Sequence, residues 1–233
     1  MVDCCRLTCG IRVDQPTIEF AKKLAEEARA ETGSRPQAQR ATTTEICMEH
    51  RTPEYGDELT FALAELISLG NAQLKIPTAR ITQKNLLQAR HYFSKALHYL
   101  QNDPSTAPKQ VARVCQKLLE AALGLSQISR APEERKEHAD QAQKYGETAL
   151  ENVVKSGDEC MAAQVEFLLA CVTAWKVYLL LKSHGSDRGG DVDTGTVQML
   201  LLKRKEKLQE YPQLDAAWYE EQARTYTRYL TGA

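Results

Sequence analysis

Apolar residues recur at three- and four-residue spacing from Ile18 to the C-terminus, and turn-forming residues separate long runs of this kind. Strand-like alternation is nearly absent, so the pattern predicts an all-α protein. The runs predict helices at 57–75, 82–101, 107–129, 133–155, 159–183, 195–210 and 213–230. Asp57 and Asp158 stand before two of them as candidate N-caps. Pro104, Pro108, Pro132 and Pro212 all fall at proposed boundaries, where a missing N–H and a fixed φ do no harm. The run Val165 to Leu181 is the most membrane-like, yet Glu166 and Lys176 interrupt it. It is also shorter than the roughly 20 apolar residues of a spanning helix, and it reads as a central buried helix.

Upstream of this body, residues 16–31 form an amphipathic helix opened by Pro16, with Ile18, Ala21, Leu24, Ala25 and Ala28 on one face. Residues 1–15 read as a flexible tail containing Cys4, Cys5 and Cys9. Residues 32–56, with Gly33, Pro36, Pro53 and three consecutive threonines, read as a linker before a domain spanning 57–230. The linker is long enough for helix 16–31 to reach back onto that domain, in a groove or as an N-terminal cap.

The body repeats itself. Leu66, Leu69 and Gly70 spell Leu-x-x-Leu-Gly, and Leu123-Gly124 renews the ending 54 positions on. Ala89, Tyr92, Phe93, Ala96 and Leu97 set a frame that Ala142, Tyr145, Gly146, Ala149 and Leu150 repeat 53 residues later. Small side chains at such positions let helices approach, and large ones fill the space beside them. In a third unit Leu169-Ala170 takes the Leu-Gly place, and Lys207-Leu208 with Pro212 keeps only the end of the pattern.

These residues resemble the tetratricopeptide repeat (TPR) over about 57–212. The gaps of 19 (Gly70 to Ala89) and 18 (Gly124 to Ala142) residues exceed that family's usual spacing. The resemblance implies a right-handed α-α superhelix of about three TPR-like helix pairs, with helix 213–230 as a C-terminal cap and helix 16–31 separate. It also implies a concave groove lined by the first helix of each pair. Carried over position by position, the groove positions are Ile67, Asn71, Leu74 and Lys75, then Ala121, Leu125 and Ile128, then Gln164, Phe167, Leu168, Cys171 and Trp175, a largely apolar set. Of these, Ile67, Asn71, Leu74, Leu125, Phe167, Cys171 and Trp175 are the expected partner-binding residues. Of the clamp with which relatives hold acidic chaperone tails, only Asn71 agrees, so that ligand is not expected. The implied function is an adaptor or scaffold that holds a peptide or helix of a partner protein.

Charge adds an alternative. Lys plus Arg number 30 and Asp plus Glu 31, so the whole chain is balanced. Between Leu66 and Leu119, however, Asp103 is the only acid against eight bases. Lys109, Arg113 and Lys117 stand at i, i+4 and i+8, a stripe able to meet phosphate, an acidic peptide or a nucleic-acid backbone within the basic 75–117 region. The competing expectation is a solvated face paired with the acidic stretch Glu133 to Glu151.

Catalytic and metal signatures are missing. The sequence holds no Cys-x-x-Cys, His-Glu-x-x-His, phosphate loop, dinucleotide fingerprint or Gly-x-Ser-x-Gly elbow. Asp187, Asp191 and Asp193 lie among glycines but lack the spacing and final Glu of a calcium loop. The expectation is therefore no enzyme, no cofactor, no metal and no small-molecule substrate. Seven cysteines, an odd set partly inside apolar runs, suit a reducing compartment. With no apolar leader and no transmembrane segment expected, cytoplasm, or else nucleus, is the predicted location.

Overall fold

A computed structural model describes residues 55–75, 80–103, 106–184 and 193–232. The tail, the helix over 16–31 and most of the linker lie outside the described residues. Those described form seven helices and no strand: α1 (Tyr55–Leu74), α2 (Gln83–Asn102), α3 (Pro108–Ile128), α4 (Pro132–Ser156), α5 (Glu159–His184), α6 (Thr194–Leu208) and α7 (Ala216–Thr231). Two compact units divide the chain, Met1–Leu69 and Gly70–Ala233. In the first, the described part of α1 buries Ala62 and Leu66 and exposes Phe61. The second unit carries everything that follows.

Local chemistry sets the helix ends. Pro108 and Pro132 occupy the first turns of α3 and α4, where no N–H is needed. Thr82 and Asn85 form a reciprocal capping box at α2. Asp158, Asp193 and Asp215 accept from the backbone N–H of Met161, Thr196 and Trp218, starting α5, α6 and α7. Asp57, by contrast, lies within the range of α1 and not before it. Gly157 ends α4 at φ 69°, a left-handed turn that glycine adopts without a Cβ penalty.

Within the second unit each helix from α2 onward packs on its successor, most extensively α3 on α4, and α5 also touches α3 and α7. Three glycines show how the close contacts are made. A Cβ at Gly70 would sit 2.6 Å from the Phe93 ring tip, and one at Gly124 would stand 3.0 Å from a Leu86 methyl. At Gly146 it would come within 2.5 Å of Leu169 and 2.8 Å of Leu119. Glycine is therefore the hole and the neighbouring side chain the knob. Ala89, Ala96, Ala142 and Ala149 are all fully buried, as close helix approach requires.

The rear of the unit is built differently. Phe167 meets Tyr219 edge-on at 5.2 Å, and Trp175, Tyr178 and Tyr229 form a triangle of rings with centroids 5.0, 5.1 and 4.9 Å apart. Trp175 Nε1 donates to the buried Ser126 Oγ over 2.7 Å, and that hydroxyl donates to the Arg135 carbonyl, so α5, α3 and α4 meet at one polar point in an apolar core. By length and composition Glu159–Ser183 could cross a membrane. Here α3, α4, α6 and α7 surround it.

Candidate groove on the α3, α5 and α7 face

One side of α3, α5 and α7 bounds a groove of about 840 Å³, which Leu74 of α1, Ile81 and Leu86 of α2 extend. The helices bring residues to it in stripes. On α3 the stripe runs through Arg113, Lys117, Glu120, Gly124 and Gln127; on α5 through Gln164, Leu168 and Cys171; on α7 through Trp218, Gln222 and Tyr226. Steps of three and four residues keep each stripe on one helix face. Gln127 donates to Tyr226 Oη over 2.7 Å and ties the C-terminal halves of α3 and α7 together.

The wall is mixed in polarity. Leu123, Leu168 and Cys171 make an apolar floor, and Trp218 stands 40% exposed at the edge. Around them are five glutamines, Gln116, Gln127, Gln164, Gln213 and Gln222. Three are spent within the protein: Gln116 on Glu120, Gln127 on Tyr226 and Gln213 on the Cys160 sulfur. Gln164 and Gln222, both half-buried, have no side-chain partner among the described residues.

Charges in and beside the groove are largely matched. Lys109 Nζ lies 2.7 Å from Asp158, and Lys117 Nζ lies 2.8 Å from Glu120. The Lys109 hydrogen bond, reinforced by the Met161 N–H, holds the Asp158 carboxyl below the usual carboxylate range. Arg113 is exposed and has no ion pair among the described residues. Burial pushes the Tyr219 phenol up to about 12 and the Cys171 thiol well above its ordinary value, away from reactivity at neutral pH. Among the described residues no three His, Cys, Asp or Glu side chains are grouped to hold a metal ion.

The residues proposed from the sequence divide. Leu74 and Cys171 reach the groove. Leu125, Phe167 and Trp175 do not: they are 0%, 0% and 3% exposed and belong to the core. Asn71 is half-buried on α1 away from the groove wall, and Ile67 is half-buried in the first unit. The misassignment on α5 has a clear cause, since that helix is apolar around most of its circumference and no face is marked by polarity. Trp218 of α7, which no reading of the sequence above assigns to a partner, fronts the groove. The basic stripe is brought to the groove's edge, with Arg113 and Lys117 on its wall. Its lysines pair with Asp158 and Glu120 and not with the 133–151 stretch. Gln222 went unnoticed in the sequence, although its place between Trp218 and Tyr226 at four-residue spacing was a readable signal.

No protein-family model matches the chain, and no curated protein or solved structure matches it.

Proposed function

We propose that the chain is a TPR-like interaction module, in which α1, α3 and α5 are the first helices of three pairs in a right-handed superhelix and α7 closes the array. Its task is to hold an extended segment of a partner protein in the groove, as an adaptor or scaffold. The observation that carries this reading is the pair of unspent amides, Gln164 and Gln222, beside an apolar floor. An extended peptide brings free backbone N–H and C=O groups, which a side-chain amide can answer with both its donor and its acceptor, and side chains that an apolar floor can take. A helical ligand has already spent its backbone groups, so the amides favour the extended form. The groove volume is in the range of preformed ligand sites, roughly 300–1,000 Å³. Buried free thiols at Cys115 and Cys171 suit a reducing cytoplasm.

The phosphate- or nucleic-acid-binding alternative rests on Lys109, Arg113 and Lys117. Asp158 and Glu120 beside the two lysines leave that stripe a net single positive charge, which is little for a polyanion.

The test is selection of random 12-residue peptides displayed on phage against the immobilised full chain. Binding of the enriched peptides should be lost with Gln164→Arg, which fills and charges the groove, and kept with Lys144→Glu on the exposed side of α4. If no peptide is enriched, or if Gln164→Arg binds as the wild type does, the reading fails.

A further inference from the structure

We infer that the groove selects segments carrying an acidic side chain, read by Arg113, four or five residues from an apolar side chain seated over Leu123 and Cys171; this rests on the peptide-binding reading above. The acidic half follows from the charges. Asp158 is answered by Lys109, Glu120 by Lys117, and Asp215 is engaged with the Trp218 N–H at the start of α7. Arg113 alone keeps its guanidinium open to solvent, with no ion pair among the described residues. It also stands one turn from Lys109 and one from Lys117, so an incoming carboxylate meets an unpaired guanidinium in the field of a stripe that is net singly positive once Asp158 and Glu120 are counted. An incoming Lys or Arg is repelled by the same field. A guanidinium offers a carboxylate two parallel N–H donors, which adds direction to attraction.

The spacing follows from helix geometry. Arg113 and Leu123 are both on α3, and ten residues at 1.5 Å each separate them by about 15 Å along the axis. An extended chain rises about 3.3 Å per residue, so about four or five residues bridge that distance. Between the two anchors the ligand backbone passes the Gln164 amide. Leu168 and Cys171 of α5 face Leu123 of α3 across the floor where the apolar side chain ends.

The same 12-residue phage library, panned on the full chain, distinguishes this inference from the reading it rests on. The expected result is enrichment of Asp or Glu four or five positions from Leu, Phe or Met. A fluorescein-labelled synthetic copy of an enriched peptide should bind about tenfold more weakly to Arg113→Gln, the loss expected for one charge-assisted contact. Panning on Arg113→Glu should replace the acidic preference with Lys or Arg. Both substitutions lie at an exposed position, and unchanged circular dichroism and Tm establish that they fold. Peptides that depend on Gln164 but carry no acidic position, and bind Arg113→Gln unchanged, overturn the inference and leave the groove reading standing. No enriched peptide, or peptides indifferent to Gln164→Arg, overturns both.

Discussion

The front and the rear of the Gly70–Ala233 unit bury their helices by different means. At the front, the end of α1 from Gly70 onward, α2, α3 and α4 come together where glycine or alanine on one helix receives a side chain of another, as Gly70 receives Phe93 and Gly124 receives Leu86. At the rear, α5 and α7 are held by rings and buried hydrogen bonds, with Trp175, Tyr178 and Tyr229 in mutual contact and Tyr226 edge-on to Tyr229. The notches fix how closely two helices approach. The aromatic sector fixes which faces of α3, α5 and α7 remain for the groove, because Trp175 is pinned to Ser126 on α3 and Tyr226 to Gln127.

This contrast is best broken at Trp175. Trp175→Ala should destabilise the protein by about 4 kcal/mol in urea unfolding, combining a large cavity with a lost partner for Ser126. Trp175→Phe keeps most of the volume and should cost about 1–2 kcal/mol, the scale of one buried hydrogen bond. Equal losses for the two substitutions would mean that packing contributes nothing there beyond the Ser126 bond.

The front is sharpened by two glycines on different helices. Gly70→Ala drives a methyl against the rigid, fully buried Phe93 ring and should cost about 2 kcal/mol despite alanine's better helix propensity. At Gly124 the obstacle is the flexible end of Leu86, which needs to give only a few tenths of an ångström. Gly124→Ala should therefore stay within about 0.5 kcal/mol of wild type, its propensity gain offsetting the contact. Thermal unfolding that ranks the two the other way would show that the Phe93 ring swings aside.

The smallest effect lies where front and rear join. Asp158 ends the turn after α4, caps α5 and pairs with Lys109 of α3. Asp158→Ala should cost about 1 kcal/mol, typical of a helix cap. Its folded-state carboxyl titrates below the usual value, so its contribution is complete above the ordinary aspartate pKa of about 3.9 and is lost as pH falls through the lower folded value. The gap between wild type and Asp158→Ala should thus be constant near neutrality and close in acid. A gap that widened as pH fell would reverse this linkage.

The two regions were unequally legible. Gly70, Ala89, Phe93 and Ala142 announced the front contacts through their spacing, since a small residue facing a large one leaves a mark in composition. Gly146 shows the limit of that signal: it holds the place of Phe93 in the repeated frame, yet it is a hole filled by Leu119 and Leu169, whereas Phe93 is a knob. The two frames therefore both make tight contact but differ in which helix supplies the bulk. At the rear, Phe167 and Trp175 carry no such mark, because α5 presents apolar side chains in nearly every direction.

What the amino-acid sequence settled by itself is the helical class, the seven described helices to within a few residues, and the boundaries at Pro108, Pro132 and Asp158. These follow from local forces, namely backbone geometry, capping and the three- to four-residue apolar period, which act within a few residues of chain. Only the tertiary structure separated Gln164, Leu168 and Cys171, which front the groove, from Phe167 and Trp175, which fill the core, and set Trp218 at the groove's edge. Periodicity reports a buried face only where the opposite face is polar, and a helix surrounded by others acquires its orientation from neighbours distant in the sequence.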